Sequence, residues 1–217
     1  MREQRDGHTA CMTIVTVSAS FGAGGAEVGP RLAERLGVPF LDRAIPAGVA
    51  ERLAIPLEDA AARDESIGGL LSRMAMRLAP MGQAFGATTT AHDALDDDAF
   101  RRTTEAIIRE HAATGKLVVL GRAGALVLRD DPRALHVRLD GPRSGRIEQA
   151  MRLTELDRAG AERRLAETDR AREAYVRHFY RADPRDPALY HLTIDSTALA
   201  LEVVVDLIAI AAQSRTR

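Results

Sequence analysis

The run Thr13-Ile-Val-Thr-Val17 is β-branched at every position, and glycines stand at 22, 24 and 25 just beyond it. Stiff, branched side chains on consecutive residues describe a short strand buried on both faces, the kind found inside a parallel sheet. Glu27, Val28, Leu32, Ala33 and Leu36 then follow at helical spacing. A glycine-rich loop therefore joins a buried strand to an amphipathic helix. Such a loop can aim backbone N–H groups, reinforced by the helix dipole, at a phosphate. Its glycines permit positive φ and close approach of a ligand.

The rest of the chain repeats the alternation. Gly37 closes the first helix, and Val38 to Arg43 reads as a second strand. Helices are expected over Ala44–Leu53, Leu57–Arg63 and Ile67–Ala79, and Pro80 to Asp98 reads as a mobile surface loop whose last aspartates cap the next helix. A helix through Phe100 and Ile108 ends at Gly115, and the apolar strand Leu117–Leu120 runs straight into Gly121-Arg122. Leu135–Leu139 is a fourth strand, Tyr190–Asp195 a fifth, and a last helix carries Leu199, Val203, Leu207 and Ala211. Between them Arg158 to Tyr180 is one long arginine-rich helix, broken by Asp183-Pro184 and Asp186-Pro187. Alternating strands and helices predict a three-layer α/β fold, a five-stranded parallel sheet with helices on both faces. Ligands then bind beyond the C-terminal strand ends, which carry Gly22 to Gly25, Asp42-Arg43 and Gly121-Arg122.

Composition narrows the partners. With 30 Lys and Arg against 31 Asp and Glu, the balance opposes broad nucleic-acid binding. No apolar run approaches the roughly 20 residues that span a bilayer, so a membrane location is not expected. The single Cys11 cannot form an internal disulfide and suits a reducing cytoplasm. Residues 1–12 read as a lead-in and 13–217 as one domain, with an insertion over about 44–98 and a lid over about 155–187. A homo-oligomer is compatible with this but not readable from it. No metal-ligand spacing stands out.

Two phosphate patterns compete for the glycine loop. The Walker A pattern places its first glycine on Ala19, its second on Gly24, its lysine on Gly25 and its hydroxyl on Ala26. The dinucleotide pattern matches Gly22 and Gly24, meets Glu27 in place of its third glycine, and finds an acid, Asp42, at the ribose distance. The arginines favour the first. Arg170 and Arg172 precede Tyr175 and Arg177, as cations would on a lid closing over a phosphoryl group. For most arginines of this helix, pairing with Glu162, Glu167, Asp169 and Glu173 is the simpler role.

The chain resembles the cytidylate kinase-like family, a branch of the P-loop nucleoside monophosphate kinases. The resemblance rests on Phe21-Gly-Ala-Gly-Gly-Ala-Glu-Val28, Leu32–Gly37, Pro39–Arg43, Val118–Arg122, Leu135–Leu139, Asp169-Arg-Ala-Arg172 with Tyr175, and Asp195-Ser-Thr197. It implies transfer of the ATP γ-phosphoryl group to a nucleoside monophosphate or similar small acceptor, with Mg²⁺ held by the phosphates and water. Under it Phe21, Gly22, Ala23, Gly24, Gly25 and Ala26 surround the donor phosphates. Asp42, Arg43, Arg122 and Arg177 face the acceptor, and Arg170 and Arg172 offset charge in the transition state. The chain departs from the true cytidylate kinases, which carry lysine and a hydroxyl where it has Gly25 and Ala26, and aspartate where it has Ala123. A catalytically silent nucleotide-binding domain and a dinucleotide-dependent oxidoreductase remain as alternatives.

Overall fold

The computed structural model of the chain describes residues 13–42 and 91–215, the side chains of 91–97 apart. Five parallel strands form one sheet in the order β2-β3-β1-β4-β5. They are β1 (Thr13–Ala19), β2 (Phe40–Leu41), β3 (Lys116–Leu120), β4 (Ala134–Asp140) and β5 (Leu192–Asp195). The helices are α1 (Gly25–Leu36), α2 (Ala91–Ala113), α3 (Gly124–Val127), α4 (Arg143–Leu153), α5 (Arg158–Tyr180) and α6 (Leu201–Ser214).

Alternation along the central strands explains the layers. Val15 and Val17 of β1, Val118 of β3 and Leu135, Val137 and Leu139 of β4 form one core with Val28 and Leu32 of α1 and Val204 and Ile208 of α6. Ile14, Leu117, Val119 and Ala134 join the opposite core, against Ile107 and Ile108 of α2 and Val127 at the end of α3. Successive residues thus serve opposite faces, and the sheet is covered on both sides. Each fully buried aliphatic side chain contributes about 1.5–3 kcal/mol relative to exposure. On the second face Thr16 Oγ1 lies 2.8 Å from His136 Nδ1. Desolvation of that imidazole, with repulsion from His191, pushes its pKa down to about 4.

The strand order also disposes of one alternative. A dinucleotide-binding sheet runs 3-2-1-4-5-6, with the second strand beside the first. Here β3 pairs with β1, Thr16 opposite Val119, and β2 lies outside it. The chain turns back at β1, with β3 on one side and β4 on the other. The loops following these three strands therefore share one crevice.

Several expected boundaries shift. Gly37 does close α1, in a left-handed conformation with φ 64°. The second strand shrinks to Phe40–Leu41 and the fifth begins at Leu192. The stretch expected as a loop to Asp98 is helical from Ala91 onward. Its acids are not a cap: Asp98 is 3.0 Å from Arg101 and 3.6 Å from Arg102, pairs made one turn apart inside the helix. The expected lead-in at 1–12, the helices over 44–79 and the rest of the insertion to 90 lie outside the described residues.

Candidate functional site

The loop leaving β1 is held by side chains that come from elsewhere. Arg172 Nη1 donates to the Ala19 carbonyl at 2.6 Å and Arg146 Nη1 to the Phe21 carbonyl at 3.1 Å. Gln149 Nε2 donates to the Gly22 carbonyl at 3.0 Å and Ser196 Oγ to the Ala23 carbonyl at 2.8 Å. In a trans peptide the N–H points opposite to its carbonyl. Pinning the Phe21 and Ala23 oxygens therefore turns the Gly22 and Gly24 N–H groups the other way. Gly22 and Gly24 are left-handed, with φ 78° and 73°. A Cβ on Gly22 would stand 2.2 Å from the Arg146 carbonyl oxygen, so the loop rests against the backbone of α4.

Gly24 is the N-cap of α1 and supplies no side-chain cap. The first-turn N–H groups of Gly25 and Ala26 thus have no acceptor within the helix. At α5, by contrast, the Asp157 carboxylate accepts from Gly160 N at 2.7 Å. A Cβ on Gly25 would meet the Ala19 Cβ at 2.6 Å, so the position corresponding to a Walker lysine is closed by a methyl group from β1.

The loop forms one wall of a cleft of about 810 Å³. Across it stands Arg122, the middle residue of a turn whose Gly121, Arg122 and Ala123 are all left-handed, with φ 70°, 55° and 51°. Its guanidinium lies 3.4 Å from Asp42 at the end of β2. Burial pushes the Arg122 pKa down, while Asp42 and Tyr175 pull it back up. Arg172 lines the cleft with its side chain exposed, and desolvation by the cleft walls lowers its pKa too, with Asp169 opposing and Arg122 adding to the effect. Two cations lining one cleft, Arg122 largely buried and Arg172 exposed to it, favour an anion between them. Arg138 adds a third, with Nη2 3.1 Å from Ser20 Oγ and 2.7 Å from Asp140, and Nη1 donating to the Pro184 carbonyl at 2.8 Å. Phe100, Tyr175 and Phe179 line the cleft beside Arg122.

Of the residues singled out from sequence, Phe21, Gly22, Gly24, Gly25, Ala26, Asp42, Arg122 and Arg172 line this cleft. Ala23 is fully buried below it. Arg170 and Arg177 are exposed and are not part of the lining. Arg177 instead stands 3.8 Å from Glu173 and 3.6 Å from Asp183. Arg43 is outside the described residues. Sequence reading passed over Arg138, Arg146, Gln149 and the contact role of Asp169. Arg138 carried a signal, since it places a charge between the buried Val137 and Leu139 near the C-terminal end of its strand. Arg146 and Gln149 carried none, because both look like ordinary polar positions of a helix.

The cytidylate kinase-like family model matches residues 14–198. Among solved structures, an uncharacterized protein from Eubacterium ventriosum superposes with a TM-score of 0.66 at 17% identity, covering 93% of this chain and 99% of that one. A gluconokinase from Sinorhizobium meliloti gives a TM-score of 0.50 at 20% identity, over 94% and 93%. A uronate isomerase from Corynebacterium glutamicum is 36% identical over 91 residues, which are 42% of this chain but only 18% of that protein. The gluconokinase resemblance is one of fold alone, an α/β chain like this five-stranded parallel sheet. The chain belongs to the cytidylate kinase-like family.

Proposed function

We propose that the protein transfers the γ-phosphoryl group of ATP to a small acceptor, a nucleoside monophosphate first among the candidates. The observation that carries this reading is Arg172, held at the mouth of the glycine loop by the Ala19 carbonyl and facing the same cleft as Arg122. The Gly22, Gly24, Gly25 and Ala26 N–H groups would take the donor phosphates. Arg122, oriented by Asp42, would take an anionic group of the acceptor. Arg172 would offset the charge that spreads over the transferring oxygens. Chemistry of this kind is positioning and electrostatics, without a protein nucleophile.

The glycine cradle fits a polyphosphate. Among the described residues no three His, Cys, Asp or Glu side chains converge to hold a metal. Mg²⁺ would ride on the phosphates and water, where it neutralises phosphate charge. Among the described residues no helix is long and apolar enough to cross a membrane, and we infer a cytoplasmic setting from the single cysteine alone.

A second reading has its own support. Gly25 and Ala26 lack the Walker lysine and hydroxyl, and Ala19 fills the space where a side chain at 25 would begin. A domain that binds nucleotide without turning it over would look the same here. An assay with ATP–Mg²⁺ and a panel of nucleoside monophosphates and gluconate separates the two. Turnover on one of them is expected, and binding without turnover on any would favour the silent domain. Arg172→Ala should lower kcat by about 10²–10³-fold, as loss of one oxyanion donor does, with ATP affinity nearly unchanged. Undiminished turnover would remove Arg172 from the reaction.

A further inference from the structure

A helix that carries a catalytic cation can either swing it in with the substrate or hold it ready. The described contacts of α5 bear on which of these holds. Asp169 lies one helical turn before Arg172, so the two share a face. Both oxygens of its carboxylate are committed. Oδ1 accepts the Phe21 N–H of the glycine loop at 2.9 Å, and Oδ2 accepts from Arg146 Nη1 at 2.6 Å. Arg146 in turn donates to the Phe21 carbonyl at 3.1 Å and, through Nε, to the Gly141 carbonyl at 3.1 Å. One guanidinium thereby ties the end of β4, the loop and α5 together. Beneath it Ala161 and Leu165 of α5 pack on Ile147 and Ala150 of α4, with Phe21 against the same cluster.

We propose that Asp169 is a positioning residue: it latches α5 to the phosphate loop through Phe21 N–H and Arg146, and so holds Arg172 at the loop mouth before any substrate arrives. The inference rests on the reading of Arg172 as the charge partner of the transferring group. A carboxylate bound through both oxygens has its plane fixed, which fixes the face of α5 turned to the loop. The face carrying Arg172 is then set, and the long arginine side chain has its Ala19 acceptor in reach without closure of the helix. Charge fits the same role: Arg146 pairs with Asp169 at 2.6 Å, so the carboxylate that holds α5 is itself balanced beside the loop.

Asp169→Asn tests this with little change of shape. Its amide oxygen can still accept from Phe21, but its NH₂ group would face the Arg146 donors. The variant should keep the wild-type Tm within a few degrees and show ¹⁵N signals in which the Arg172 guanidinium has lost the slowed rotation of a hydrogen-bonded group. In Asp169→Ala the Phe21 amide should also exchange at least about tenfold faster, in line with loss of a local bond. Unchanged Arg172 and Phe21 signals in both variants would overturn the latch. On turnover, Asp169→Asn should lower kcat about 10- to 100-fold, the scale of a roughly 1 Å misplacement, with the KM for ATP held. The double variant with Arg172→Ala should be no slower than Arg172→Ala alone, because both changes remove one contribution. Losses that multiply would mean Asp169 acts independently of Arg172, which contradicts the proposal. If wild type turns over no acceptor, the functional reading falls, while the two NMR signals still decide the latch.

Discussion

Two turns at the same edge of the sheet solve opposite problems. The loop after β1 adopts left-handed conformations at Gly22 and Gly24, where no side chain resists them. The turn after β3 adopts them at Gly121, Arg122 and Ala123 in succession, and two of these carry side chains. For a residue with a Cβ such a conformation costs about 1–2 kcal/mol. The difference follows from what each turn presents. The first offers backbone N–H groups and needs only room. The second must present a guanidinium beside Asp42, so it accepts strain that the packed surroundings hold in place.

The largest test of this contrast is Gly22→Ala. Its Cβ would meet the Arg146 carbonyl oxygen at 2.2 Å in a backbone with φ 78°. The left-handed strain and the clash together should cost roughly 2–5 kcal/mol, read as a lowered urea midpoint, and ATP–Mg²⁺ affinity should fall with it. A variant of wild-type stability would show that the loop does not need its contact with α4.

Arg122→Ala comes next. With the cation gone, kcat/KM for the acceptor should drop about 100-fold, close to 3 kcal/mol, while calorimetry finds ATP binding intact. Arg122→Lys should fall between, since an ammonium lacks the planar fork. Equal damage to ATP binding would abolish the division of labour between the two turns. The smallest effect is expected from Ala123→Gly. Relief of left-handed strain outweighs the added flexibility of the unfolded chain, a net gain of about 0.5–1 kcal/mol. Destabilisation would mean that the second turn is not strained.

The legible part of the molecule was whatever local pattern controls. The apolar runs of β1, β3 and β4, the closure of α1 at Gly37 and the parallel order of elements follow from periodicity and chain stiffness. Asp42 and Arg122 could be anticipated on one edge, because parallel strands deliver their following loops to the same side. Arg170 and Arg172 could not be told apart by composition, yet two residues on a helix are about 200° apart, and only Arg172 lines the cleft. Contacts between distant positions left no trace in the pattern. Arg172 reaches Ala19 across 153 residues and Gln149 reaches Gly22 across 127. The start of α2 was missed because its acidic run resembles a cap, whereas Asp98 pairs one turn forward.

The methyl group of Ala19 under Gly25 bears on how such a loop could have arisen or could be changed. With 2.6 Å between the Ala19 Cβ and any Cβ at 25, the two positions are not independent choices. Gly25→Lys alone should injure packing before it supplies a cation, and Ala19→Gly alone should only loosen β1. Together they would restore both the glycine and the lysine of a Walker loop. A change from one kind of loop to the other therefore passes through a less well packed intermediate whichever substitution comes first. Under the role proposed for Arg172, that coupling is a physical reason for the cation to come from α5 and not from the loop.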